Sequence, residues 1–464
     1  MKKYFCCSLL ITALFILSAC ATPTLTPTTP TASPTSIGAP LSEQASIALA
    51  QQTIDLMIAQ DFAGAYSKFD QTMQAALPEA QLQLAWESLL KQAGAYQAMI
   101  GIPSATQQAQ YIVVVIALQF EQAPIDLRVV IDPSAGKVSG LRFVPNQTEA
   151  AKQYKPPSYA DPNSFEEREV VVGSGEWQLS GTLTVPKGAG LFPAVVLVHG
   201  SGPNDRDETI GPDKPFKDIA WGLAARGIAV LRYEKRTRVY PDKMASQTNL
   251  TVKEETIDDA VLAVDVLRHA NSIDPARVFV LGHSLGGYLA PRIGQVAGSN
   301  IAGLIILAGP TRHLEDLMLE QTQYILSLDG SISPDEQQNI DQLTQLVAVI
   351  KALKPGDQPK EGVLGAPASY WLDLQNYQPE QLASTLTLPI FILQGERDYQ
   401  VTLQDFQGWK DALSSKSNVQ LKTYPDLNHL FVTGSGKSTP AEYGVPANVS
   451  VSIIDDIAAW VKQH

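Results

Sequence analysis

The chain has 464 residues, 45% of them hydrophobic and 17% charged, with a formal net charge of -13. That length exceeds one ordinary domain and sets two as the expectation, in a composition typical of globular proteins. An acidic balance with no basic run or patch excludes nucleic acid as the expected partner.

Residues 1–19 read as a signal segment. Lys2 and Lys3 form a positive start, Phe5 to Leu17 form an apolar run too short for a comfortable span, and Leu17-Ser18-Ala19-Cys20 puts small residues where a signal peptidase cuts. A cysteine at this place resembles the bacterial lipobox. That resemblance implies lipidation of Cys20, export, and anchoring of the globular part to the outer face of the cytoplasmic membrane. The other cysteines, Cys6 and Cys7, leave with the signal. No disulfide framework and no Cys metal site is then available, so the fold must rest on its core. Residues 20–41 are rich in Thr and Pro, have too few apolar side chains to offset the entropy of ordering, and read as a tether.

Residues 42–145 read as a small α+β domain. Ser42 offers an N-cap, and Ile47, Leu49, Ile54, Met57 and Ile58 recur at helical spacing. Asp61-Phe62-Ala63-Gly64 breaks this pattern, and further helices are expected over Phe69–Leu77 and Glu79–Ala93. The period then changes to that of strands at Tyr111–Leu118, Ile125–Ile131 and Val138–Phe143, the last after a turn at Asp132–Lys137. Helices followed by a meander resemble the cystatin-like or nuclear-transport-factor-2-like domains that precede hydrolases in some exported bacterial proteins. Nothing in the sequence marks a ligand there, so a stabilising or docking module is the expectation.

Residues 146–164, with Lys-Pro-Pro-Ser-Tyr-Ala-Asp-Pro-Asn, have a linker composition. From residue 165 to 464 strands and helices alternate, which implies an α/β domain with a mostly parallel sheet covered on both faces. Glu169–Val172 and Leu179–Val185 look like an opening antiparallel pair. A buried strand is expected at Pro193–Val198, and further strands at Ile228–Tyr233, Arg277–Leu281, Ile301–Leu307, Leu388–Leu393 and Val419–Tyr424. Helices are expected at Phe216–Ala225, Val252–Ala270, Leu403–Leu413 and Val449–Val461. Residues 311–387 interrupt the alternation with a helical insertion, which at that point would form a cap over the strand ends. Its Tyr324, Tyr370, Trp371, Leu372 and Tyr377 could line an acyl pocket or simply pack the cap.

Chemistry concentrates at Gly282-His283-Ser284-Leu285-Gly286, a G-x-S-x-G pattern between a β-branched strand and a helix start. Such a turn displays the Ser284 hydroxyl above a sheet, within reach of a base and a carbonyl. A serine attacks poorly unless a base takes its proton. Of six histidines, His269 and His464 end a helix and the chain, His283 sits on the turn itself, His313 comes too early, and His199 ends an earlier strand. His429, in the loop after the last strand, is left as the base. Asp398, past the strand end at Gly395-Glu396-Arg397-Asp398, is the leading carboxylate to orient it, with Glu396 and Asp316 as alternatives. Two backbone donors are needed for an oxyanion: the N–H of Leu285 and, from His199-Gly200-Ser201-Gly202, that of Ser201 or else Gly202.

Residues 165–464 thus resemble α/β-hydrolases of the serine aminopeptidase-like and dienelactone-hydrolase-like esterase group. The resemblance is carried by His199-Gly200-Ser201-Gly202-Pro203, Gly282 to Gly287, Gly395 to Asp398 and Asn428-His429. Asn204-Asp205-Arg206-Asp207 and Arg232-Tyr233-Glu234-Lys235-Arg236 also match stretches of that group and read as an ion-pair network or as substrate contacts. The resemblance implies a serine carboxylesterase working through an acyl-enzyme on a small ester, with no cofactor and no metal. An exported aminopeptidase that captures an α-amine with Glu315, Asp316 or Glu320 is the alternative, and a non-catalytic surface binding protein a distant third. Oligomeric state is not legible.

Overall fold

The computed structural model describes residues 40–357, 359 and 362–464. The stretch read as a signal segment, Cys20 and all but the end of the stretch read as a tether lie outside the described residues. Two units divide the rest, one ending at Gln153 and the other beginning at Tyr154.

In the first unit, three side-chain caps set the helix starts. The Ser42 hydroxyl accepts from Ala45 N, the Asp61 carboxylate from Gly64 N, and the Asp70 carboxylate from Met73 N, opening helices Glu43–Ile58, Phe62–Tyr66 and Gln71–Ala76. A fourth helix, Glu79–Ala93, buries Leu82, Trp86 and Leu89. The strands β1 (Tyr96–Gln108), β2 (Tyr111–Phe120), β3 (Pro124–Asp132) and β4 (Lys137–Pro145) form an antiparallel meander in the order β1-β2-β3-β4. In β2 every second residue, from Ile112 to Phe120, is buried, which is the signature of a sheet with one covered face. Trp86 packs edge-on to Phe120, with ring centres 6.0 Å apart.

β1 has no counterpart in the sequence reading. It is an edge strand, all of its residues are exposed or half-buried, and two register shifts interrupt it, one just after Tyr96 and one across Gly101. An edge interrupted in this way needs no alternating apolar pattern, so the period-2 signal is absent. The stretch read as a linker also opens with a short helix, Gln147–Ala151, whose cap is Asn146, accepting from Glu149 N at 2.8 Å.

The second unit is built on an eight-stranded sheet. Its strands are β5 (Phe165–Val172), β6 (Leu179–Pro186), β7 (Phe192–Val198), β8 (Ala229–Tyr233), β9 (Ile273–His283), β10 (Gly303–Leu307), β11 (Ile390–Gly395) and β12 (Val419–Tyr424). The order is β12-β11-β10-β9-β7-β8-β6-β5. β5 pairs antiparallel with β6 and β6 with β8, and all other pairs are parallel. The central strands are buried on both sides. Ala194, Val196 and Val198 of β7 join one core with helices Asp258–Arg268, Leu285–Ala297 and Leu403–Leu413. Val195 and Leu197 join the other with helices Pro215–Ala224 and Val451–Gln463. Each fully buried Val, Leu, Ile or Phe contributes about 1.5–3 kcal/mol, so the two cores supply the main stabilisation.

After β7 the chain turns to β8 on one side and returns to β9 on the other. The switch point thus lies between the carboxyl ends of β7 and β9, where a crevice opens in sheets of this kind. Between β10 and β11 the chain leaves the sheet to form helices Leu314–Leu326, Pro334–Ala352, Ala368–Gln375 and Pro379–Thr385. These are the helical insertion expected over residues 311–387.

Candidate active site

Ser284 ends the turn after β9 and caps helix Leu285–Ala297 with φ +52° and ψ -115°. A non-glycine residue held there carries strain of about 1–3 kcal/mol, which the surroundings must hold in place. They do so through close backbone packing. A side-chain carbon on Gly282 would stand 2.1 Å from the Gly286 carbonyl oxygen, and one on Gly286 would stand 2.2 Å from that of Val198 at the end of β7. The glycines of the pattern are therefore required by the approach of strand, turn and helix. Ser284 N–H donates to the Leu307 carbonyl at 2.9 Å, tying the turn to β10.

His429 and Asp398 come from the loops after β12 and β11. His429 Nδ1 lies 2.7 Å from Asp398 Oδ2, with both residues buried. Asp398 Oδ1 accepts from the N–H groups of Gln400 at 2.7 Å and Val401 at 3.0 Å, and Gln394 Nε2 donates to Oδ2 at 3.1 Å. The carboxylate is thereby fixed, the imidazole proton goes to Nδ1, and Nε2 is left as the basic nitrogen. The His429 loop is held by Asn428, whose Oδ1 accepts from Leu430 N and Val432 N. The alternative carboxylates have other partners. Glu396 is exposed and accepts from the Thr423 hydroxyl at 2.7 Å, and Asp316 pairs with Lys351 at 2.5 Å.

Ser284, Leu285 and Ser201 line one small pocket, together with Pro310, Leu314, Leu317, Gln321 and Val401. The proposed nucleophile and both residues chosen as oxyanion donors thus face the same space. The loop that carries Ser201 is clamped on several sides. Gly200 N–H donates to Glu208 Oε1 at 2.6 Å, and Gly200 O accepts from Lys235 Nζ at 2.7 Å. Asn204 Nδ2 donates to Ser201 O at 3.0 Å, and the Thr237 hydroxyl donates to Gly202 O at 3.3 Å. Lys235 is in turn paired at 2.8 Å with Glu255, which projects from a π-turn at Lys253–Ile257 opening helix Asp258–Arg268. A π-turn re-aims a side chain in this way.

The two charged stretches form an ion-pair network around this loop. Arg206 pairs with Glu234 and Glu169, buried Arg232 with Asp207 and Glu167, and Arg236 with Asp259. His199 packs between the rings of Phe216 and Tyr233, and its Nε2 donates to Asp205 O at 3.0 Å. Burial pushes the His199 imidazole down to about 4, so it is neutral and serves to hold the loop.

Glu208 and His283 were not among the expected site residues. Glu208 is buried at φ +51°, and its Oε2 lies 2.9 Å from His283 Nδ1. His283 Nε2 lies 3.0 Å from the His429 carbonyl oxygen, and the His283 and His429 rings are 4.7 Å apart. The turn histidine does not bend back to Ser284, as its position on the elbow implies, but it reaches the base from behind. In the sequence Glu208 is one of three carboxylates after Asn204, with Asp205 and Asp207, and nothing there singles it out.

The cap closes over the site through its first helix. Leu314, Leu317 and Gln321 point to the pocket, and Gln321 Nε2 donates to Gln400 O at 2.8 Å, joining cap to acid loop. The cap aromatics do not line this pocket. Trp371 Nε1 donates to Val363 O, Tyr377 OH to Tyr288 O and Tyr324 OH to Ser438 O, so they pack and fasten the cap.

A family model described as serine aminopeptidase, S33, matches residues 193–435, just over half of the chain. Esterase EstD of Thermotoga maritima is 42% identical over 407 residues, covering 87% of this chain and 92% of that one. The chain belongs to the serine aminopeptidase S33 family of α/β-hydrolases. It is a serine hydrolase. A second model, for a domain of unknown function named DUF3887, matches residues 50–141 in the first unit. Among solved structures, Est1E from Butyrivibrio proteoclasticus is 16% identical, with 64% of this chain and 99% of that chain covered at a TM-score of 0.41. An esterase of Pyrococcus furiosus is 19% identical, with 60% and 91% covered at a TM-score of 0.39.

Proposed function

We propose that the chain is a carboxylesterase in which Ser284 is the nucleophile, His429 the general base and acid, and Asp398 the residue that orients it. Ser284 Oγ attacks the ester carbonyl as its proton passes to His429 Nε2, and the N–H groups of Leu285 and Ser201 receive the oxyanion. His429 returns the proton to the leaving alcohol. Water, activated by the same imidazole, then hydrolyses the acyl-enzyme.

The observation that carries the ester reading is the lining of the Ser284 pocket. Beside the serines, Leu285 and Gln321, it is apolar (Pro310, Leu314, Leu317 and Val401) and has no carboxylate among the described residues. An aminopeptidase needs a negative group for the substrate's α-amine, and two of the three cap candidates are already neutralised. Asp316 is paired with Lys351 and Glu320 with Arg312, while buried Glu315 is not part of the pocket wall. The small apolar pocket fits a short acyl group, and the 42% identical relative is named an esterase. Purified protein given p-nitrophenyl esters of rising acyl length and aminoacyl amides should turn over short esters with much the higher kcat/KM. A preference for the amides would overturn the ester reading.

We also propose export and lipid anchoring through Cys20, on the strength of Lys2, Lys3, the apolar run and the small residues before the cysteine. Cells fed a labelled fatty acid should label the wild type and not Cys20→Ala. Equal labelling of the two would rule out Cys20 as the anchor.

A further inference from the structure

The triad leaves two buried charges behind the nucleophile unused. His283 Nε2 lies 3.0 Å from the His429 carbonyl oxygen, to which it donates, and Nδ1 stands 2.9 Å from Glu208 Oε2, an ion-pair distance without hydrogen-bond alignment. A neutral imidazole has one N–H and would leave one of these contacts lone pair against lone pair. The arrangement therefore calls for an imidazolium, balanced by the Glu208 carboxylate. The second Glu208 oxygen accepts Gly200 N–H at 2.6 Å. One buried pair thus joins the oxyanion loop, the nucleophile turn and the loop that carries the base.

We propose that Glu208 and His283 are positioning residues for acyl transfer. As an ion pair they set the oxyanion loop through Gly200 and the base loop through the His429 carbonyl, and the His283 cation, with its ring 4.7 Å from that of His429, places a like charge beside the imidazolium that forms during acyl transfer. This rests on the assignment of Ser284, His429 and Asp398 made above. Other charges facing the pair are accounted for. Asp398 faces His429 Nδ1 at 2.7 Å. Neutral His199 faces Glu208, and Lys235 and Asp205 lie beyond it. Burial by itself would lower His283, but the Glu208 charge and the His429 carbonyl outweigh it and raise the imidazole. Burial by itself would raise Glu208, but His283 first and then the Gly200 N–H hold the carboxyl below its usual range.

Glu208→Gln tests the charge, because the amide keeps the shape and an acceptor for Gly200 N–H while leaving His283 neutral. The acid limb of kcat/KM on p-nitrophenyl acetate should move to higher pH by about one unit, since loss of the nearer cation outweighs loss of the more distant anion. Glu208→Ala should lower kcat on the order of tenfold or more with KM little changed, as an oxyanion donor loses its support. In the wild type, NMR of isotopically labelled histidine nitrogens should show His283 still protonated on both nitrogens at a pH above the ordinary imidazole range, a readout that needs no variant to fold. A singly protonated His283, or a Glu208→Gln enzyme whose acid limb stays in place or moves to lower pH, overturns the proposal. Ser284→Ala measured alongside separates the two readings. If it retains turnover, the triad assignment has failed. If it is inactive while Glu208→Gln matches the wild type, only the positioning role has failed.

Discussion

His429 Nδ1 and Asp398 Oδ2 stand 2.7 Å apart in the folded protein, and the neighbouring oxygen of Asp398 is pinned by two backbone N–H groups. The carboxylate that orients His429, the proposed base, is thus itself fixed by main chain. Asp398→Asn keeps the volume but presents an amide that cannot both hold the Nδ1 proton and stabilise the imidazolium. Steady-state kinetics should show kcat falling about 10⁴-fold. Circular dichroism should show the same fold.

Gly286→Ala places a methyl group 2.2 Å from the Val198 carbonyl oxygen, a backbone atom in the middle of the sheet. The turn cannot yield without moving β7 or Ser284. Destabilisation of about 3 kcal/mol is expected, seen as a lowered Tm, with loss of ester turnover in whatever folds.

Asp213 and Asp218 are buried carboxyls beside the loop before the last helix. Asp213 accepts from Ala447 N at 2.7 Å, and Asp218 from Val449 N at 2.9 Å and Tyr154 OH at 2.8 Å. Burial raises Asp213 to about 7 and Asp218 to about 6, above their unfolded value of 3.8. With folded values raised, their contribution is fully present below about pH 4 and is lost as pH rises through 6 and 7. Asp213→Asn, which keeps an acceptor for Ala447 N, should flatten the fall in Tm across that window. It should raise Tm at about pH 8 and change it little at about pH 4.

Leu317 is buried and lines the Ser284 pocket from the first cap helix. Leu317→Ala enlarges the space for the acyl group. The ratio of kcat/KM for a longer to a shorter p-nitrophenyl ester should rise by about tenfold, the usual scale for a change of a few methylenes in an apolar pocket.

Much of this site could be read before folding because its chemistry is written in local sequence. Gly282 and Gly286 flank a serine between a β-branched strand and a helix, and their spacing follows from backbone contact rather than from distant partners. Asp398 and His429 were reached by chain order, since the fold's topology places strand ends in sequence. Glu208 was not legible, because its role depends on meeting His283 and Gly200 from separate elements, and no period or motif records such a meeting. The cap aromatics looked like pocket residues by composition, yet Trp371 satisfies its polar atom on the Val363 carbonyl inside the cap, and Tyr377 on the Tyr288 carbonyl of the helix that follows Ser284. β1 escaped because an exposed, bulged edge strand carries no alternation.

The central claim is that Ser284 is the nucleophile. Its most direct test is to treat the protein with a fluorophosphonate and locate the adduct by peptide mass spectrometry, with turnover followed in parallel. One adduct on Ser284, formed in step with loss of ester hydrolysis and absent from Ser284→Ala, is the predicted result. An adduct elsewhere, or a Ser284→Ala protein that hydrolyses p-nitrophenyl acetate at the wild-type rate, would contradict it.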